Sequence, residues 1–126
     1  MKHRIYIVLL FLFSGIACIA QPVVSFGKTI HHLGFVRQGD TLHFSYAFTN
    51  KGNQPLLITD AKVECGCTVV DKPIEPILPG KQGVITVIFH TNDAMDRQNR
   101  TITILSNATN SPATLRFKCI VLKRKK

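Results

Sequence analysis

Alternation of apolar and polar side chains recurs along this chain and constrains its fold more than any other feature. Leu42, Phe44, Tyr46 and Phe48 fall on one parity, with His43, Ser45, Ala47 and Thr49 on the other. Ile85, Val87 and Phe89 repeat the pattern against Val84, Thr86 and Ile88. Leu115, Phe117, Cys119 and Val121 repeat it again, against Arg116 and Lys118. A period of two sends successive side chains to opposite faces of a strand, so each stretch has one face to bury. No stretch after residue 20 holds a helical period for three turns. The chain is therefore expected to be all-β.

The segments between these strands are shorter or less regular. Pro22 to Phe26 reads as a short first strand, with proline where a missing N–H costs least. Ile30 to Arg37 is irregular and broken by Gly34, and Gln38-Gly39-Asp40 is a turn. Asn50-Lys51-Gly52-Asn53 is a reversal rich in residues that tolerate positive φ. From Leu56 to Cys65 the alternation slips by one, and a bulge near Thr59-Asp60 would return both halves to the core. Pro73, Pro76 and Pro79 forbid a paired central strand between Val69 and Pro79. Asn92 to Arg97 reads as a loop, and Thr101 to Ser106 as a strand with Ile102 and Ile104 inward. Together these features predict an immunoglobulin-like antiparallel β-sandwich of about seven strands. With no Trp, and no cysteine pair at the antibody spacing, the expectation concerns the architecture alone.

The first twenty residues read as a signal peptide. Lys2 and Arg4 form a positive head, Ile5 to Phe13 is an apolar run too short to span a bilayer, and Cys18-Ile19-Ala20 precedes a cleavage point before Gln21. The alternative is lipidation at Cys18, through a partial lipoprotein box at Gly15-Ile16-Ala17-Cys18. The organisation that follows is a signal peptide over 1–20, one sandwich domain over 21–122 and a basic tail over 123–126. Removing Lys2 and Arg4 from 16 Lys and Arg, against 7 Asp and Glu, leaves a mature charge of +7. Lys123, Arg124, Lys125 and Lys126 supply four of those positives as a solvated tail, which offers loose attraction to anionic polymer or lipid headgroups. No aromatic residue is interleaved with them, which disfavours nucleic acid as a partner.

Cys65, Cys67 and Cys119 remain after cleavage, in what should be an oxidising compartment. Three is odd, so at least one thiol is free or paired elsewhere. Cys119 is expected as a small buried residue on the last strand. A middle strand would separate it from Cys65 by about 9–10 Å, too far for a disulfide. Cys65 and Cys67 keep three readings open: a disulfide bent through Gly66, a reduced pair under the loop, or two thiolates for a soft metal. Metal would need imidazole from His31, His32, His43 or His90, and the spacing is not that of a structural zinc site. No Gly-x-Ser-x-Gly, phosphate-cradling loop or paired carboxylates point to an enzyme.

Several stretches in order carry a resemblance: Phe48-Thr49-Asn50-Lys51-Gly52-Asn53, Cys65-Gly66-Cys67-Thr68, Pro76-Ile77-Leu78-Pro79-Gly80, Ile85 to Phe89 and Ser106-Asn107. Over residues 26–122 the chain resembles a bacterial family of exported domains of unknown function marked by a Cys-Gly-Cys-Thr motif. The resemblance implies an immunoglobulin-like fold similar to ciliary and sperm-protein scaffold domains, and no enzymatic activity or cofactor. It departs at Cys119, where members often carry a small residue, commonly Gly. The function expected is an exported, non-catalytic binding or scaffolding module of the bacterial periplasm or cell surface. Its partner would be an envelope protein or polymer, with membrane attachment only if Cys18 is lipidated. The alternatives are a thiol-redox or metal-handling protein centred on Cys65, Gly66, Cys67 and Thr68, and an electrostatic adhesin using the basic tail.

Overall fold

The computed structural model describes residues 21–124, and the signal peptide expected over 1–20, with Cys18, and the last two residues of the basic tail lie outside them. Eight strands follow in order: β1 (Val24–Phe26), β2 (Ile30–Arg37), β3 (Thr41–Asn50), β4 (Ile58–Val63), β5 (Thr68–Asp71), β6 (Gln82–His90), β7 (Asp96–Ser106) and β8 (Ala113–Leu122). They form two four-stranded sheets, ordered β1-β3-β6-β5 and β2-β8-β7-β4. The sandwich expected from the alternation is present, with Ile85, Val87, Phe89, Ile102, Ile104, Leu115 and Phe117 fully buried between the sheets.

Two expectations need correction. The described residues form eight strands, in keeping with the seven or so expected, but β2 pairs with β8 in parallel, so the sandwich is not wholly antiparallel. Gly34 does not end β2. It takes φ +72°, and the register slips between His32 and Phe35, so a bulge absorbs the irregularity and the strand continues. No central strand forms between Val69 and Pro79, as expected: Thr68 to Asp71 is a strand only at the sheet edge beside β6, and it stops before Pro73. The expected bulge in β4 is present, between Ile58 and Asp60. Ile58 is buried and Ala61 packs against the core, whereas Val63 is 36% exposed.

Gly52 is needed for a different reason from the one its turn suggested. Positive φ occurs among the described residues at Gly34, Gly39, Gly80 and Asp96, and at none of Asn50 to Asn53. A Cβ on Gly52 would stand 2.2 Å from the Gln21 carbonyl oxygen, so close backbone approach excludes a side chain there. Inside the same turn Asn50 is fully buried. Its Oδ1 accepts from Gly52 N–H at 2.9 Å and Val23 N–H at 3.4 Å, and its Nδ2 donates to the Gln54 and Ile77 carbonyls at 2.7 and 2.9 Å. One side chain thus ties the segment leading into β1, the β3–β4 turn and the proline-rich segment together. Tyr46 links the two sheets directly, its hydroxyl donating to the Arg116 carbonyl at 2.5 Å.

Candidate functional site

β4 lies in one sheet and β5 in the other, so residues 64–67 carry the chain across one end of the sandwich. Cys65 and Cys67 are joined there by a disulfide, with Cα atoms 5.3 Å apart. Positions two apart on a straight strand are about 6.5–7 Å apart, so the backbone bends at Gly66 to bring the sulfurs together. Hydrogen bonds hold the bend. Cys67 N–H donates to Cys65 Sγ at 3.2 Å, Thr68 N–H to the Cys65 carbonyl at 3.3 Å, and His90 N–H to the Cys67 carbonyl at 2.9 Å. Thr68, the last residue of the motif, is buried, with its Oγ1 3.8 Å from Cys67 Sγ.

The bridge borders a recess of about 330 Å³, completed by Asp93 and Ala94 before β7 and by Arg100 within it. Arg100 shares the inward parity of Ile102 and Ile104, a signal present in the sequence but passed over because arginine is seldom found at such positions. Its Nη2 donates to Gln98 Oε1 at 2.7 Å, while its Nε is buried without a hydrogen-bond partner. The guanidinium places positive charge beside the bridge, where a thiolate would form if the disulfide opened.

Cys119 is free and buried on β8, and β7 separates it from β4, as expected. Burial pushes its thiol pKa up and the Arg100 guanidinium pulls it partly back, which leaves a protonated, weakly nucleophilic thiol at neutral pH. The histidines are dispersed. His31 packs edge-on to Tyr46, with ring centroids 4.5 Å apart and its Nε2 2.7 Å from the Ser45 carbonyl. His32 and His43 are exposed on different sheets, and His90 closes β6 with Nδ1 3.3 Å from Thr41 Oγ1. Among the described residues no three His, Cys, Asp or Glu side chains gather as a metal site. While bonded to each other, the two sulfurs offer no thiolate to a metal.

A family model described as a protein of unknown function, DUF1573, matches residues 24–121, the whole sandwich. The chain belongs to the DUF1573 family. No curated protein matches it. Among solved structures, this DUF1573 domain is similar to a protein of unknown function from Porphyromonas gingivalis, with TM-score 0.71 at 16% identity over 86% of this chain. It spans only 50% of that protein's length. It is also similar to the ASH/PapD-like domain of human CEP192, with TM-score 0.64 at 7% identity, covering 83% of this chain and 89% of that one. WR4, a major-sperm-protein family member from C. elegans, gives TM-score 0.51 at 7% identity, covering 79% and 98%. Identities this low establish the shared immunoglobulin-like fold of the PapD and sperm-protein type, and nothing about partners.

The thiol arrangement predicts a simple count. Unfolding the DUF1573 domain without reductant should expose one alkylatable thiol among these three cysteines, at Cys119, and three after reduction. Replacing both Cys65 and Cys67 by Ser should cost only about 1–2 kcal/mol in a denaturant melt, because so short a ring removes little unfolded-chain entropy. Three reactive thiols before reduction would show that the bridge does not form.

Proposed function

We propose that this domain is a non-catalytic binding or scaffolding module exported to a bacterial envelope, and that it recruits an extended protein segment at the free edge of β5. The observation that carries this reading is the chemistry of that edge. β5 is four residues long and pairs only with β6, and its one charged residue, Asp71, stands at its last position, which leaves Thr68 to Val70 without a charge to discourage a further strand. Val69 on β5 and Val84 on β6 are 48% and 49% exposed, and Ile74 and Leu78 in the following segment are 88% and 56% exposed. An incoming strand would pair with the unpaired backbone of β5 while its alternate side chains met these aliphatic groups. Export is supported by the basic head and apolar run before Gln21, and by a disulfide, which persists in oxidising compartments.

A photo-crosslinking side chain placed at Val69 should capture a partner in the native envelope, whereas one at Ser25, on the opposite edge strand of the same sheet, should not. Val69→Lys should abolish capture by a probe at Asp71 without changing the unfolding midpoint, since an exposed edge side chain contributes little to the core. Equal capture at both edges, or capture indifferent to Val69→Lys, would dismiss the β5 edge.

The Arg100 guanidinium beside the Cys65–Cys67 bridge favours a second reading, a thiol-redox protein. That reading requires the pair to equilibrate with glutathione at a potential well above the roughly −300 mV of inert structural disulfides. A pair that stays oxidised throughout glutathione buffers would remove it.

A further inference from the structure

Lysine and arginine are divided unequally between the two sheets. β1, β3, β6 and β5 contain none, whereas Arg37, Lys62, Arg97, Arg100, Arg116 and Lys118 all lie in β2, β4, β7 and β8. Register decides where they point. Along β8, Leu115, Phe117, Cys119 and Val121 are buried, so Arg116 and Lys118 take the outer face. Their cross-strand neighbours share that face: Ile30 opposite Arg116, His32 opposite Lys118, Arg37 opposite Leu122, and Arg97 opposite Ile120. Lys62 joins from β4, opposite Thr103. Only Arg100 of the six turns inward. Among the described strand residues, Asp60, at the β4 edge, is the carboxylate whose register places it on this face, with exposed Glu64 just beyond the end of β4, and exposed Lys123 and Arg124 extend the basic surface beyond β8.

The same face is also apolar at its β2 border. Phe35 is 72% exposed, Leu122 is exposed two residues along β8 from its partner Ile120, and Ile30 is exposed at the other end of β2. Phe35 and Ile120 line an open groove of about 370 Å³ flanked by His32, Arg97 and Lys118. A hydrated acidic polymer would satisfy the cations and leave the phenyl ring in water. A lipid interface offers phosphates to the cations and, a few ångströms deeper, an apolar layer to the ring. Four strands at about 4.8 Å spacing also present a broad face suited to a planar surface.

We propose that the outer face of the β2-β8-β7-β4 sheet seats the domain on a bilayer containing anionic phospholipid, with Phe35 inserted at the headgroup boundary. This attachment needs no lipid on Cys18. It also leaves the β5 edge, which belongs to the other sheet, free for the partner proposed above.

Sedimentation of the mature, exported protein with vesicles tests this. Binding should be strong to phosphatidylcholine vesicles containing one-third phosphatidylglycerol, and weak to phosphatidylcholine alone. R97E/K118E should weaken binding at least about tenfold, because each basic residue near an anionic surface contributes about fivefold. F35S should weaken it severalfold, and raising salt should leave that Phe35-dependent factor in place. T86E, on the outer face of the opposite sheet, should change nothing. All three variants alter exposed or half-buried side chains, so a thermal melt verifies that each is folded. Equal affinity for both vesicle types, or indifference to R97E/K118E, would overturn the proposal. So would binding to soluble polyphosphate that matches binding to anionic vesicles and ignores F35S, which would assign the face to an acidic polymer.

Discussion

Phe117→Ala should destabilise the domain by about 3–5 kcal/mol, the usual loss for a buried phenylalanine. Its ring is fully buried and lies 5.0 Å, centroid to centroid, from both Phe44 and Phe89. Phe117 belongs to β8, whereas Phe44 and Phe89 belong to β3 and β6 of the facing sheet, so the cluster joins the two layers. Truncation removes apolar area from the core and opens a void that strands held by ladders on both sides cannot close. For a domain of about 100 residues the melting temperature should fall on the order of 15–25 °C. A urea titration followed by circular dichroism measures the free energy directly. Phe89→Ala should behave alike, while Phe44→Ala should cost less, because Phe44 is only partly buried. A loss below about 1 kcal/mol for Phe117→Ala would contradict this packing.

Asn50→Ala is the second large expected loss, about 3–4 kcal/mol, and it arises from polar groups. Removing the amide strands the Gln54 carbonyl and the Gly52 and Val23 N–H groups around a fully buried position, and leaves the Ile77 carbonyl with Leu56 N–H as its remaining donor. Each buried group left unpaired costs about 1–3 kcal/mol, reduced where water can enter. The loss should appear first as faster hydrogen exchange at Lys51, Gly52 and Ile77, around the knot that Asn50 ties, with β7 and β8 still protected. Uniform exchange across the domain, or an unchanged urea midpoint, would show that the network contributes little.

The contrast between these two residues shows where the sequence is legible. Phe117 could be placed inward from its neighbours alone, because burial on one face of a strand imposes a period of two. Asn50 sits at the end of such a strand, in a turn-forming run whose composition suggested positive φ. Its burial follows from Gln21 to Val23 and Ile77 closing over it, contacts with partners 27 residues away in either direction. Local patterning carries no trace of such partners.

The Cys65–Cys67 site divides in the same way. The motif marked the place and bounded the chemistry to a bridge, free thiols or metal, because only thiol chemistry needs two cysteines there. The bend that brings the Cα atoms to 5.3 Å, and Arg100 reaching the same recess from β7, arise only once β4 and β5 are assigned to different sheets.

The sequence by itself determined the all-β class, the inward faces of β3, β6 and β8, and the bulge in β4, since each is written in the alternation of neighbouring residues. Only the tertiary structure decided that β2 runs parallel to β8, that β5 forms an exposed edge, and that the outward cations gather on one sheet. The physical reason is that a strand's pattern records which of its faces is buried. Which strand lies beside it depends on matching backbone hydrogen bonds and side-chain volumes across long stretches of chain, and it is that choice of neighbours that assembles scattered lysines and arginines into a surface.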